Sequence, residues 1–271
     1  MASSGFYLDK WFLDFIDQKG QARIFYAAKL TWHGITVHYA SCLDYTASNG
    51  ARTRHHFRNV KMPVLKDKCI TWSDEYLNVK GTWTSEARSL KSRVFDSKDG
   101  HLDWSCHQPS SSVELTIDGQ VIIGKGYAEQ LILTAPPWKI PMTDLRWGRF
   151  RSLNFTLVWI ELRHRGKKQW LWLNEKRAVQ CEIEDERLWS EELNFSLKLD
   201  RAVVLESEKK IFNVVEKLLR YLPGFKRVIP SHFLFADGYK WLSHGKLEKQ
   251  GHEAEHGIAI HEWVNFNVAE R

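Results

Sequence analysis

Residues 112–123 read Ser112-Val113-Glu114-Leu115-Thr116-Ile117, then Asp118-Gly119, then Gln120-Val121-Ile122-Ile123. Two alternating runs joined by a pair that readily takes positive φ predict a tight antiparallel hairpin. The same signal recurs at Ala22–Trp32, His33-Gly34 and Ile35–Ala40. A third instance runs from Phe155 to Leu162, turns at Arg165–Lys168 and returns through Gln169–Leu173. The 13 Trp, 14 Phe and 8 Tyr of this 271-residue chain suit sheets with packed interiors better than helix bundles. The expected class is therefore all-β, made of antiparallel barrels or sandwiches.

Further strands are expected at Ser231–Phe235 and Ile258–Phe266. One helix stands out near residues 208–222, where Ile211, Val214, Val215, Leu218, Leu219 and Leu222 share a face. Ser207 is its expected N-cap, and Pro223-Gly224 ends it. Ala135-Pro136-Pro137-Trp138-Lys139-Ile140-Pro141 suits neither a central strand nor a helix interior. It divides the chain into expected domains 1–140 and 141–271. No repeat of 20–50 residues is visible, though a structural duplication can diverge beyond sight.

Several function classes recede on composition. Apolar residues are 43% and charged residues 27%, and no run approaches the roughly 18 apolar residues of a membrane helix. Residues 1–10 lack a basic n-region and an apolar h-region, so a cytoplasmic location is expected. Cys42, Cys69, Cys106 and Cys181 are too scattered for a zinc motif and read as reduced, mostly buried thiols. His252-Glu253-Ala254-Glu255-His256 has the zincin spacing, but Gly251 and Gly257 bracket it and no long helix can carry it, so a polar hairpin loop is the better reading. The basic run Ala51–Lys61 reads as a solvated loop; the net charge of +6 alone does not argue for nucleic acid. Phosphate-binding glycine loops and a nucleophile elbow are lacking, and no metal or nucleotide cofactor is expected.

Chemistry concentrates in Gly124-Lys125-Gly126-Tyr127-Ala128-Glu129. On a strand Tyr127 and Glu129 share a face, while the two glycines permit close approach of backbone or ligand. A carboxyl among aromatic rings is suited to general-acid work, with a phenol to orient it. Trp104, Trp138 and Trp147 are candidate apolar walls able to steady a developing cation. Arg146 is a candidate substrate contact. Equally, Glu129 could pair with Arg146 or Arg149 as a structural strut.

The segment resembles the signature of the lipocalin-like superfamily that includes the carotenoid 1,2-hydratases (hydroxyneurosporene synthases), a Gly-x-Gly-Tyr-x-Asp strand followed by a Trp-Gly element. The matching residues are Gly124, Gly126, Tyr127, Glu129, Trp147 and Gly148, with looser likeness at Leu102–Pro109 and Ile260–Val264. It is firmest over residues 100–160. The resemblance implies two consecutive lipocalin-like β-barrels and acid-initiated addition of water to an isoprenoid double bond, with Glu129 standing in for the family's Asp. The family's His-x-Trp is replaced here by Ser105-x-His107 or Trp104-x-Cys106, depending on register.

Two functions follow as expectations. The first is a cofactor-independent enzyme that protonates an apolar small molecule, with Glu129 as acid/base, Tyr127 as partner and His107 as relay, leading to hydration, isomerisation or cyclisation. The second is a carrier that holds an apolar ligand without converting it. The sequence leaves the oligomeric state open. Binding of anionic surfaces or nucleic acid through residues 51–61 is a third, weaker reading.

Overall fold

The structure, a computed structural model, describes residues 5–200, 203–207 and 236–266. The chain separates into two compact units, Met1–Ile140 and Pro141–Arg271. The first contains β1 (Tyr7–Asp17), β2 (Ala22–Trp32), β3 (Ile35–Thr46), β4 (Gly50–His56), β5 (Val64–Lys66), β6 (Cys69–Asp74), β7 (Val79–Ser85), β8 (Leu90–Ser97), β9 (Gly100–Ile117) and β10 (Gln120–Leu133). The second contains β11 (Asp144–Arg151), β12 (Thr156–His164), β13 (Gly166–Leu173), β14 (Lys176–Ala178), β15 (Glu182–Ile183), β16 (Arg187–Ser190), β17 (Phe195–Leu199), β18 (Val203–Ser207), β19 (Asp237–Lys249) and β20 (Glu255–Asn265).

Each unit is one antiparallel sheet, and the two share a connectivity. The first runs β4-β3-β2-β1-β10-β9-β7-β6-β5 with β8 beside β9; the second runs β14-β13-β12-β11-β20-β19-β17-β16-β15 with β18 beside β19. Adding ten to every strand number of the first order gives the second. This is an internal duplication, visible in strand pairing and invisible in residue identities.

Each sheet curls around its own apolar core. In the first unit Trp11, Leu13, Phe15, Phe25, Trp72 and Trp83 pack together; in the second Phe150, Leu157, Trp159, Leu171, Leu197 and Leu247 do so. Burying such side chains contributes about 1.5–3 kcal/mol each. In the first unit the edge strand β4 is tied to β6 by His56, whose Nε2 lies 2.8 and 2.9 Å from the two carboxylate oxygens of Asp74.

The turns follow the expected chemistry. His33 and Gly34 adopt φ of 47° and 79°, and Asp118 and Gly119 adopt 49° and 79°, the positive pair that a two-residue hairpin requires. The third hairpin is tighter than expected, because the ladder continues to His164↔Gly166 and leaves only Arg165 at the tip. Residues 51–56 of the expected solvated loop Ala51–Lys61 belong instead to the exposed edge strand β4. His252 lies in the β19–β20 turn, as the hairpin reading requires, while Glu255 in β20 accepts hydrogen bonds from the Asn154 backbone and side chain at 3.0 and 2.7 Å.

The expected helix 208–222 and the expected strand 231–235 lie outside the described residues. Ser207, its expected N-cap, is the last residue of β18. Among the described residues the only helical element is a 3₁₀ turn at Pro137–Lys139, and none is long and apolar enough to cross a membrane. The four cysteines are unpaired, two of them buried.

Candidate functional site

Strand β10 has two different faces. Gly124, Gly126 and Ala128 point toward the apolar core, and Tyr127 and Glu129 point the opposite way. A Cβ on Gly126 would meet the Asp14 carbonyl at 2.3 Å and Val113 Cγ2 at 2.6 Å; one on Gly124 would meet the Ile16 carbonyl at 2.3 Å. The two glycines thus serve core packing, making room for Trp83 and Phe15, and do not open a path for ligand beside Glu129.

On the other face Glu129 is the centre of a buried hydrogen-bonded group. Trp104 Nε1 donates to Glu129 Oε2 at 2.5 Å, and Tyr127 OH donates to the same oxygen at 2.6 Å. Tyr127 is 0% exposed, Trp104 2% and Glu129 8%. The Cys106 thiol, opposite Glu129 in the ladder, is hydrogen-bonded to Tyr127. Phe12 packs edge-on against Tyr127 with centroids 6.0 Å apart.

Burial, then the neighbouring Cys106 and Glu129, pushes the Tyr127 phenol well above its ordinary range. Burial likewise raises the Cys106 thiol, although its hydrogen bond with Tyr127 acts in the opposite sense. Both groups therefore keep their protons near neutral pH. Two fixed donors converge on Glu129 Oε2.

Strand β9 decides which residues join this group. Its pairing with β10 slips opposite Gly126–Glu129, so that Ser111, Gln108 and Cys106 face Gly126, Ala128 and Glu129. Pro109 lies within the slipped stretch, where its missing N–H is tolerated. The consequence is that Trp104 and Cys106 share the face of Glu129. His107 instead stacks on Trp11 at 5.0 Å and 18°, with Nε2 3.2 Å from Gln130 Oε1. Its ring is held on the core side, and burial lowers its pKa against a smaller opposing effect of Gln130.

The remaining expected residues are Trp138, Trp147 and Arg146. Trp138 packs edge-on against Phe6 and Trp32 at 6.1 and 5.3 Å, beyond the Leu8↔Leu133 end of the β1–β10 ladder. Trp147, buried, and Arg146 belong to β11 of the second unit. There Arg146 donates to Asp144 at 2.6 Å, to Asp185 at 2.9 and 3.0 Å and to Glu161 at 3.4 Å.

One residue of this face was missed in the sequence. Asp14 is 0% exposed, sits directly opposite Tyr127 in the β1–β10 ladder and acts electrostatically on Cys106. Its signal was a lone acid inside the apolar run Trp11-Phe12-Leu13-Asp14-Phe15-Ile16. Glu161, fully buried, gives the same signal within Leu157-Val158-Trp159-Ile160-Glu161-Leu162.

No protein-family model matches the chain, and no curated protein matches it in sequence. Solved structures do resemble it. CghA with Sch210972 is 12% identical with a TM-score of 0.57, covering 96% of this chain and 89% of that one. Kievitone hydratase from Nectria haematococca is 12% identical with a TM-score of 0.58, covering 96% and 90%. A provisionally named ATTH from Nitrosomonas europaea is 10% identical with a TM-score of 0.57, covering 97% and 93%. At this level of identity the likeness is one of fold: the chain is all-β, with two consecutive lipocalin-like antiparallel barrels.

Proposed function

We propose that the protein is a cofactor-independent acid/base enzyme for an apolar small molecule, with Glu129 as the group that gives and takes the proton. The observation that carries this reading is the convergence of Trp104 Nε1 and Tyr127 OH on a single oxygen of Glu129. A carboxyl held by two fixed donors is oriented in advance, which is the preorganisation that proton transfer needs.

The step balances simply. A proton on the Glu129 carboxyl passes to an alkene or enol carbon, whose π pair becomes the new C–H bond and leaves a cation on the neighbouring carbon. Indole faces such as that of Trp104 favour this cation. Water that adds there and returns a proton to Glu129 completes hydration. Loss of a neighbouring proton completes isomerisation, and attack by a second double bond of the same ligand, followed by proton loss, completes cyclisation. Kievitone hydratase is by name a hydratase, and CghA was solved with the small molecule Sch210972, which supports a small-molecule substrate.

A second reading, a non-catalytic carrier of a hydrophobic ligand, is favoured by the near-complete burial of Tyr127 and Trp104. The test incubates wild type and Glu129→Gln with isoprenoids, retinoids and fatty acids, following Trp fluorescence for binding and mass spectrometry for products. Product from wild type alone supports the enzyme. Tight binding by both without product makes this a carrier.

A further inference from the structure

Strand register in the second barrel aligns Gln169, Glu161, Arg146, Trp263 and Tyr239 in one row on the interior face. Glu161 is fully buried and is held by Arg146 Nη1, Arg163 Nε and Gln169 Nε2. The other edge of the Arg146 guanidinium is occupied differently. Its Nε and Nη2 both point at one atom, Asp185 Oδ1, at 3.0 and 2.9 Å. The Arg146 side chain is 12% exposed, whereas that of Asp185 is 50% exposed, in the turn between β15 and β16.

A guanidinium edge offers two parallel N–H groups that match the two oxygens of a carboxylate. Here both share one oxygen of a surface side chain. Directly across the ladder from Arg146, Trp263 Nε1 is buried without any hydrogen-bond partner, a condition that folded proteins seldom tolerate. An open cleft of about 800 Å³, lined by three arginines including Arg146, by Lys167 and Lys198, and by the carboxylates of Glu184, Asp185 and Glu186, reaches this corner. Behind it a narrow slot is bounded by Trp159, Trp241, His261 and Trp263.

We infer that the mouth of the second barrel is a binding site for a planar aryl carboxylate, whose carboxylate takes the Arg146 edge from Asp185 and hydrogen-bonds Trp263 Nε1. The five cations of the lining outnumber its three carboxylates, Glu184, Asp185 and Glu186, and the Arg163 guanidinium offers a flat face on which an aromatic ring can stack. The slot is too narrow to admit the ring, so the ring stays in the outer cleft and only an oxygen reaches the indole. This site is built from residues of the second unit and does not depend on the acid/base reading.

Calorimetric titration of the intact chain with cinnamate tests it. Asp185→Ala removes the competing carboxylate and is expected to tighten binding at least threefold, a gain that no purely structural role for Asp185 would produce. Trp263→Phe keeps the ring and deletes the donor, and is expected to weaken binding about tenfold. Absence of either shift, or no saturable binding by Asp185→Ala at millimolar cinnamate, would overturn the assignment.

Discussion

Trp83 donates its indole N–H to the backbone carbonyl of Asp14 at 2.8 Å, across the gap that the missing side chain of Gly126 leaves. One bond thereby links the core to the candidate site, since Asp14 is pinned from the core face while its carboxyl lies on the face of Tyr127. Trp83→Phe keeps most of the ring packing and loses this bond. The expected cost is about 1 kcal/mol of stability, read from urea unfolding, with Trp104 and Glu129 still in place.

Gly126→Ala is expected to be worse. Its methyl would meet backbone at 2.3 Å, and backbone in a central strand cannot move aside as a surface side chain can. Overpacking of this kind costs roughly 1–3 kcal/mol or more. A variant with wild-type stability would show that the β1–β10 spacing is looser than described.

Tyr127→Phe removes one of the two donors to Glu129 Oε2 and leaves the ring packed against Phe12. Turnover by the proposed activity is expected to fall about tenfold to a hundredfold, with ligand binding little changed. Equal losses in turnover and affinity would instead assign Tyr127 to shaping the binding surface.

His107 gives a dependence on pH that comes from the core side of the strand. Burial lowers its pKa below the ordinary 6.5, so the unfolded chain binds this proton more readily than the folded one. Stability from the neutral ring is therefore complete above pH 6.5 and is lost as pH falls from there toward the folded value. His107→Gln is expected to flatten the stability profile over that interval in thermal unfolding. An unchanged profile would remove His107 as its source.

Much of the fold was legible because hairpin chemistry is local. His33-Gly34 and Asp118-Gly119 announce positive φ by residue type alone. Arg165 does not, and its turn is shorter than the stretch Arg165–Lys168 suggests. The duplication stayed hidden because it resides in pairing order, which different residues can satisfy equally.

Alternation placed Tyr127 and Glu129 on one face, but could not reveal that the adjacent glycines serve the core. Nor could it choose between Trp104-x-Cys106 and Ser105-x-His107, because the choice depends on extra residues of β9 near Pro109 that shift the register. Asp14 was readable in principle. A charge amid apolar neighbours is either an error of pattern or a site, and here it faces Tyr127.

The most direct test of Glu129 as the proton-transfer group is deuterium uptake from D₂O into carbon positions of a bound ligand, followed by mass spectrometry. Wild type is expected to place non-exchangeable deuterium in the product, Glu129→Gln to place none while still binding the ligand. Equal incorporation by both proteins would contradict the account.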